Sequence, residues 1–309
     1  MVGKESDAKL ESVARVLRRA VAIAIQHTYA NLGKSDVIDT AQIDRIYLDC
    51  FSSILRCADA ALDEQDAVDT AQRLVKASTS AKGVRPAMGV NPFVDAAWSL
   101  KDRVAPVVFD VGANIGQTVR QVRRFLPSSV IHSFEPVPSS FEKLCTNTQN
   151  FTNLTVNHAA VGAKPGTIEI IENAQSVMSS ILPLGPAGWG VEKSRHTVTV
   201  QSVDSYSSFH QVDFIDLLKI DTQGYEMEVL RGASEMMQSG KIGLIYLELI
   251  ISDLYKDMAP LDELLKFLRE KQYRLMSMYD VHYKNGMAGW SDALFIHNTR
   301  LASGEGQIV

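Results

Sequence analysis

Asp110, Gly112, Asn114 and Gly116 share one short run, Val107-Val108-Phe109-Asp110-Val111-Gly112-Ala113-Asn114-Ile115-Gly116-Gln117-Thr118. The apolar residues at its start suit a buried parallel strand, and the two glycines suit a tight turn that a ligand can approach closely. A helix beginning after the turn points unpaired N–H groups into it. A strand–turn–helix of this kind is a holding place for a nucleotide-like ligand at the carboxyl edge of an open sheet.

The spacing narrows the ligand. The pattern is D-x-G-x-x-x-G, so Asp110 stands where the dinucleotide pattern G-x-G-x-x-G has its first glycine. A carboxylate facing the turn repels a pyrophosphate and can pair with an ammonium. S-adenosylmethionine carries an amino acid end and a sulfonium, and no phosphate. It is the expected cofactor.

Further acidic residues fall at strand ends. Glu135, in Phe134-Glu135-Pro136-Val137-Pro138, follows Gly116 by 19 residues. A carboxylate at that point can accept both hydroxyls of a nucleoside ribose, and Pro136 and Pro138 can flank an adenine. Asp221 ends the apolar run Leu217-Leu218-Lys219-Ile220 and precedes Gly224 and a helix. It can orient the cofactor's methionine end, bind a substrate hydroxyl or act as a base. Glu226 reads as a cap near the positive end of that helix. Lys219, inside the strand, has to reach solvent or a carboxylate. Glu248 lies in Ile245-Tyr246-Leu247-Glu248-Leu249 and is expected near Asp221. Two convergent carboxylates could share a proton, bind a divalent metal or receive a polyol, and Glu248 could equally pair with a lysine or backbone amides. His158 reads as a wall of the adenine slot, and His282 as structural.

The elements that must position these residues alternate from Pro106 onward. Strands are expected at 107–111, 130–134, 154–158, 214–220, 242–249, 273–278 and 293–297, with helices at 115–125, 141–149, 225–231 and 261–271. That alternation predicts an α/β fold with a doubly wound parallel sheet, ending in an antiparallel hairpin that turns at Asn285-Gly286. Between strands at 167–171 and 197–200 runs a polar, glycine-rich excursion, 172–196. An excursion of that length at the ligand edge reads as a substrate loop. Ahead of the alternation, 1–85 reads as an N-terminal helical domain, with helices at 7–32, 40–58 and 62–78 that serve as a lid or in dimerisation. The stretch 86–104 reads as a linker on which Phe93 and Trp98 dock, and 105–309 as the cofactor-binding domain.

Composition sets outer limits. The 309 residues carry a net charge of −5 and 46% hydrophobic residues. The charge gives no electrostatic case for nucleic acid or an acidic membrane surface. Cys50, Cys57 and Cys145 form no C-x-x-C pair and read as reduced core cysteines of a cytoplasmic protein, with no cysteine-based metal site. Met1 to Lys9 is polar and mixed in charge, unlike a secretory signal. The apolar stretch 13–25 carries three arginines and is too short to span a bilayer. Any self-association is expected through the N-terminal helices.

Taken together, the segments 108–117, Phe134-Glu135-Pro136 with Phe141 and Leu144, and 215–221 with Gly224 and Glu226 resemble the FkbM family of S-adenosylmethionine-dependent methyltransferases. His158-Ala159-Ala160-Val161-Gly162 and Leu230-Arg231-Gly232-Ala233 resemble it too, so the likeness runs from about 105 to 298. In that family a Glu often precedes the glycine where this chain has Gln223, which removes one charge from the site. The resemblance implies a Rossmann-like class I methyltransferase sheet of seven strands, the last antiparallel, and O-methylation of a sugar, glycan or secondary-metabolite hydroxyl. It implies that Asp110, Gly112, Asn114 and Gly116 surround the methionine part and that Glu135 holds the ribose. Ala159 and Ala160 would line the adenine, with Thr118 and Pro136 counted among the cofactor contacts. Asp221, with Glu248 beside it, is the expected catalytic pair. A cofactor-binding module without turnover and a nicotinamide-dependent oxidoreductase are the alternatives, the latter disfavoured by Asp110.

Overall fold

The computed structural model describes residues 89, 91–284 and 286–300. The expected N-terminal helical domain, with Cys50 and Cys57, lies outside the described residues, as does Asn285 of the expected turn.

Seven strands form one sheet: β1 (Val107–Val111), β2 (Val130–Phe134), β3 (Leu154–Asn157), β7 (Ile215–Ile220), β8 (Ile242–Ile250), β9 (Tyr273–Lys284) and β10 (Met287–His297). Their order across the sheet is β3-β2-β1-β7-β8-β10-β9. The pairs β1/β2, β1/β7, β2/β3 and β7/β8 are parallel. β10 runs antiparallel to both β8 and β9, so the closing hairpin inserts its second strand into the sheet and leaves β9 at the edge. The strand order reverses on either side of β1, and ligands of such sheets sit at the carboxyl ends beside that point.

Helices cover both faces. On one face, α1 (Pro92–Ser99), α2 (Gln117–Phe125) and α3 (Pro138–Thr148) pack Phe93, Ala96, Val119, Val122 and Leu144 on Val108, Leu217 and Leu244. On the other, α4 (Val203–Phe209), α5 (Glu226–Arg231), α6 (Ser234–Gln238) and α7 (Leu261–Glu270) pack Tyr206, Leu230, Met237 and Leu268 on Phe109, Leu218 and Ile245. Alternate strand residues face opposite layers, so central strands buried on both sides read as continuous apolar runs. Asp110 and Lys219 interrupt two of those runs, and they are register partners on β1 and β7.

Three features depart from expectation. α1 falls inside the stretch read as a linker. Asn91 accepts the N–H groups of Phe93 and Val94 at 2.9 and 3.2 Å, Pro92 opens the helix, and Leu100 just after it is buried. The Asn91-Pro92 pair therefore marks a capped helix start. A second, three-stranded sheet, β4 (Ala160–Val161), β6 (Glu192–Gln201) and β5 (Gly166–Asn173), was legible only as two short strands. Its long β5/β6 ladder reaches Asn173 and Glu192, so the excursion shortens to 174–191. At the base of that ladder buried Glu172 accepts from Lys193, His196, Ser139 and Ser194. Burial works against its charge, but these four donors outweigh burial and hold its carboxyl near about 2.

Replacing Asn91 by Ala removes the α1 cap while leaving its apolar face intact. A loss of about 1 kcal/mol in urea denaturation is expected, and an unchanged midpoint would show that α1 is held by packing alone.

Candidate active site

The turn after β1 is fixed from three sides. Gly112 and Ala113 both donate to the Phe134 carbonyl at 3.0 Å, which ties the turn to the end of β2. Gly112 has φ +75°, and a Cβ there would sit 1.9 Å from the Asp221 carbonyl oxygen. Only glycine lets the β1 turn and the β7 end approach this closely. Beneath them lies the Lys219 ammonium. It donates to the Gly112 carbonyl at 2.9 Å and lies 3.2 Å from Asp110 Oδ1 and 3.6 Å from Asp221 Oδ2. Burial works to strip its proton, but the carboxylates of Asp110 and Asp221 prevail and hold the ammonium above its ordinary value. Burial pushes the Asp110 carboxyl up against the pull of Lys219.

Glu135 leads from the end of β2 back to this turn. Its Oε2 accepts the Asn114 N–H at 2.7 Å and its Oε1 the Val137 N–H at 2.8 Å. Burial raises its carboxyl to about 7 in spite of these bonds. Asn114 adopts φ +48°, and its Oδ1 is buried without a hydrogen-bond partner among the described residues. Both residues face a cavity of about 870 Å³, counting its opening to solvent.

The wall of that cavity contains Gly112, Asn114, Thr118, Glu135, Pro136, Ala159, Ala160 and Asp221 of the residues singled out in the sequence. The structure leaves five other candidates off the wall, the first being Pro138, which opens α3. Asp110 is fully buried on its strand, so the ammonium it meets is that of Lys219 and not a ligand's. Gly116 packs inward against Thr148 and Leu144 at φ +90° and opens α2. His158 is exposed, stacks on Phe141 at 4.5 Å and donates to the Pro136 carbonyl at 3.1 Å, so it braces the wall from outside. Glu248 opens instead into a small neighbouring pocket beside Glu226 and Met258.

Asp221 and Glu248 are nevertheless joined, through Gln223. Gln223 donates from one amide nitrogen to Asp221 Oδ1 at 2.8 Å and to Glu248 Oε2 at 3.0 Å. Its amide oxygen accepts the Tyr255 hydroxyl at 2.6 Å. Burial, then Asp221, Glu226 and Asp292, push the Glu248 carboxyl well above its ordinary value. Glu226 Oε1 accepts the N–H groups of Thr222 and Gly224 at 2.9 and 3.2 Å, so it ties the loop ahead of α5 to the first residue of that helix.

The excursion 174–191 roofs part of the cavity with Ser176, Val177, Ser179 and Ile181. Ser180 donates to the Gln223 carbonyl at 2.6 Å, and Leu184 bridges to Tyr255. Trp189 lies tilted against Trp290 with ring centroids 5.3 Å apart, and the Lys284 ammonium is 4.6 Å from the Trp189 ring. The sequence carried one sign of Gln223, its place beside a turn glycine. It placed Ser180 only within the expected substrate loop and carried no sign of Tyr255, which comes from a distant segment.

Residues 110–275 match the family described as the methyltransferase FkbM domain. The chain belongs to the FkbM methyltransferase family. It is 24% identical over 181 residues to the 2-O-methyltransferase NoeI of Sinorhizobium fredii (strain NBRC 101917 / NGR234), an alignment covering 55% of this chain and 74% of that protein. It is 25% identical over 146 residues to Methyltransferase 1 of Beauveria bassiana (strain ARSEF 2860), covering 41% and 58% respectively. Among solved structures, the precorrin-6y C5,15-methyltransferase of Geobacter metallireducens GS-15 aligns with a TM-score of 0.37 and 13% identity, over 70% of this chain and 92% of that one. Within the described residues of this FkbM-family chain, no helix is long and apolar enough to cross a membrane.

Two outcomes follow. The folded chain holds the Glu135 proton more tightly than the unfolded chain, so this residue's contribution to stability is fully present below about 4.5 and is lost as pH rises to about 7. Glu135→Gln should flatten that part of the stability–pH curve in urea melts, and an unchanged slope refutes the assignment. Lys219→Met should cost about 3–5 kcal/mol near neutral pH by leaving Asp110 buried without its counter-charge. A wild-type denaturation midpoint would show that the ion pair is not holding β1 to β7.

Proposed function

We propose that this FkbM-family methyltransferase transfers a methyl group from S-adenosylmethionine to a hydroxyl of a sugar, glycan or secondary metabolite. The observation that carries the reading is the Asp221 carboxylate. Its side chain is 43% exposed and stands on the same cavity wall as the glycine turn and Glu135.

The wall suits the cofactor by its donor set. Its two carboxylates, Glu135 and Asp221, face one basic residue, Lys219, whose donors already serve Gly112 and the neighbouring aspartates. Such a wall disfavours a pyrophosphate and so disfavours the nicotinamide reading. Glu135 accepts one N–H on each oxygen and keeps lone pairs for a ribose diol. The unpartnered Asn114 Oδ1 offers an acceptor for an ammonium. Gly112 leaves room for backbone contact with the methionine part, and Pro136, Ala159 and Ala160 give an apolar slot for adenine. The bound cofactor supplies an electrophilic methyl on a sulfonium.

This chain's own residues would do the rest. An alcohol is a weak nucleophile, and a positioned carboxylate can take its proton as the new bond forms. Asp221 has the exposure and place for that role, with Lys219 beside one oxygen and Gln223 on the other. The roof at 176–181 would help exclude water and select the acceptor. The relative named as a 2-O-methyltransferase supports oxygen as the acceptor atom.

The test is formation of S-adenosylhomocysteine from S-adenosylmethionine with a panel of methyl glycosides and simple polyols. Asp221→Asn should lower turnover by about 10²-fold or more while calorimetry shows S-adenosylhomocysteine still bound. Full activity in that variant would remove Asp221 from the chemistry. Failure of the wild-type chain on every hydroxyl acceptor, with the cofactor bound, would favour a binding module.

A further inference from the structure

Gln223 occupies an unusual position. It has φ +57° and is followed by Gly224 at φ +96°, so two successive left-handed residues turn its side chain back between Asp221 and Glu248. An amide has one nitrogen and one oxygen end, and the surroundings decide which goes where. The nitrogen faces two carboxylates and the oxygen faces the Tyr255 hydroxyl. The flipped amide would set its oxygen against both carboxylates, so this orientation is enforced.

The same residue is held by the roof. Ser180 donates to its backbone carbonyl at 2.6 Å. Tyr255, which holds its side chain, bridges to Leu184 further along the roof. The Tyr255 ring also lies against Gly224, where a Cβ would meet it at 3.0 Å. Asp221 is thereby gripped on Oδ1 by a group tied to the roof, while Lys219 lies 3.6 Å from Oδ2.

We propose that Gln223 is a positioning residue that fixes the Asp221 carboxylate for the acceptor hydroxyl and makes that geometry depend on the docked 174–191 excursion. The proposal rests on the reading of Asp221 as the residue that meets the acceptor. A glutamine suits this position because its amide donates to two acids at once. A carboxylate there would add a charge to a cluster that already holds Asp221 from the loop after β7, Glu226 from α5, Glu248 from β8 and Asp292 from β10. Lys219 of β7, itself shared with Asp110 of β1, is the cation facing them, with the hydroxyls of Tyr255 and Tyr246 at the margin and His282 of β9 beside Asp292.

The test uses the full chain with the best glycoside of the acceptor panel. Gln223→Ala should lower kcat by about 10- to 100-fold with the KM for S-adenosylmethionine and the S-adenosylhomocysteine affinity changed less than about threefold. Tyr255→Phe should lower kcat in the same pattern, to a smaller extent. Both should speed amide hydrogen exchange in 178–184, a readout that needs no turnover. Gln223→Glu should keep the shape but move the acidic limb of the kcat–pH profile up by about one unit, since a third acid beside two raises the pH at which they lose their protons. If Gln223→Ala does not fold, Tyr255→Phe and Gln223→Glu carry the test. A wild-type kcat and acidic limb in the folded variants overturns the proposal, even if exchange is faster. An active Asp221→Asn overturns the reading beneath it, and this proposal with it.

Discussion

One buried ammonium organises the functional end of this molecule. Lys219 lies within an otherwise apolar strand with its charge out of water, and it stays charged because Asp110 and Asp221 are beside it. An ion in that position is costly unless paired and hydrogen-bonded. Lys219 meets both conditions and adds the Gly112 carbonyl at 2.9 Å. It thereby joins β1, the glycine turn and the end of β7. The turn that meets the ligand and the carboxylate proposed to meet the acceptor are held to the same charge. Little freedom remains for one to move without the other.

Around that charge the site divides into a rigid half and a roofed half. The rigid half is backbone: two N–H groups of the turn on the Phe134 carbonyl, and the Glu135 carboxylate on the Asn114 N–H. The roofed half is assembled from segments far apart in the chain. Ser180, Tyr255 and Trp290 reach it from the excursion, from the loop after β8 and from β10. Rigid backbone suits a cofactor shared by a whole family. A roof made of loops suits an acceptor that varies from one enzyme to the next.

The sequence was most legible where local pattern and function coincide. Apolar runs bounded by turn residues marked the central strands β1, β7 and β8, because strands buried on both faces have no polar alternation to hide them. Asp110 was legible as an acid in the wrong place for a dinucleotide loop, but its partner was not. The pattern suggested a ligand's ammonium, whereas register puts Lys219 beside it. Register between β1 and β7 is set by more than a hundred intervening residues, and no local spacing encodes it. The same limit explains Glu248, expected at the ligand edge beside Asp221. It lies close enough to Asp221 for that carboxylate to push it up and shares the Gln223 amide with it, but it opens into a different pocket.

The amino-acid sequence by itself determined the layered α/β plan, the glycine turn after β1, the acidic strand ends at Glu135 and Asp221, and the FkbM family. These depend on residue type and short-range spacing. The tertiary structure decided which charges meet. It buried Asp110 on Lys219, turned Gly116 and His158 away from the cavity, and put the Gln223 amide between two carboxylates. Those outcomes follow from strand register and from the packing of a distant excursion on the sheet edge. Such long-range contacts are fixed only when the whole core closes, because each buried charge then takes the partners within reach.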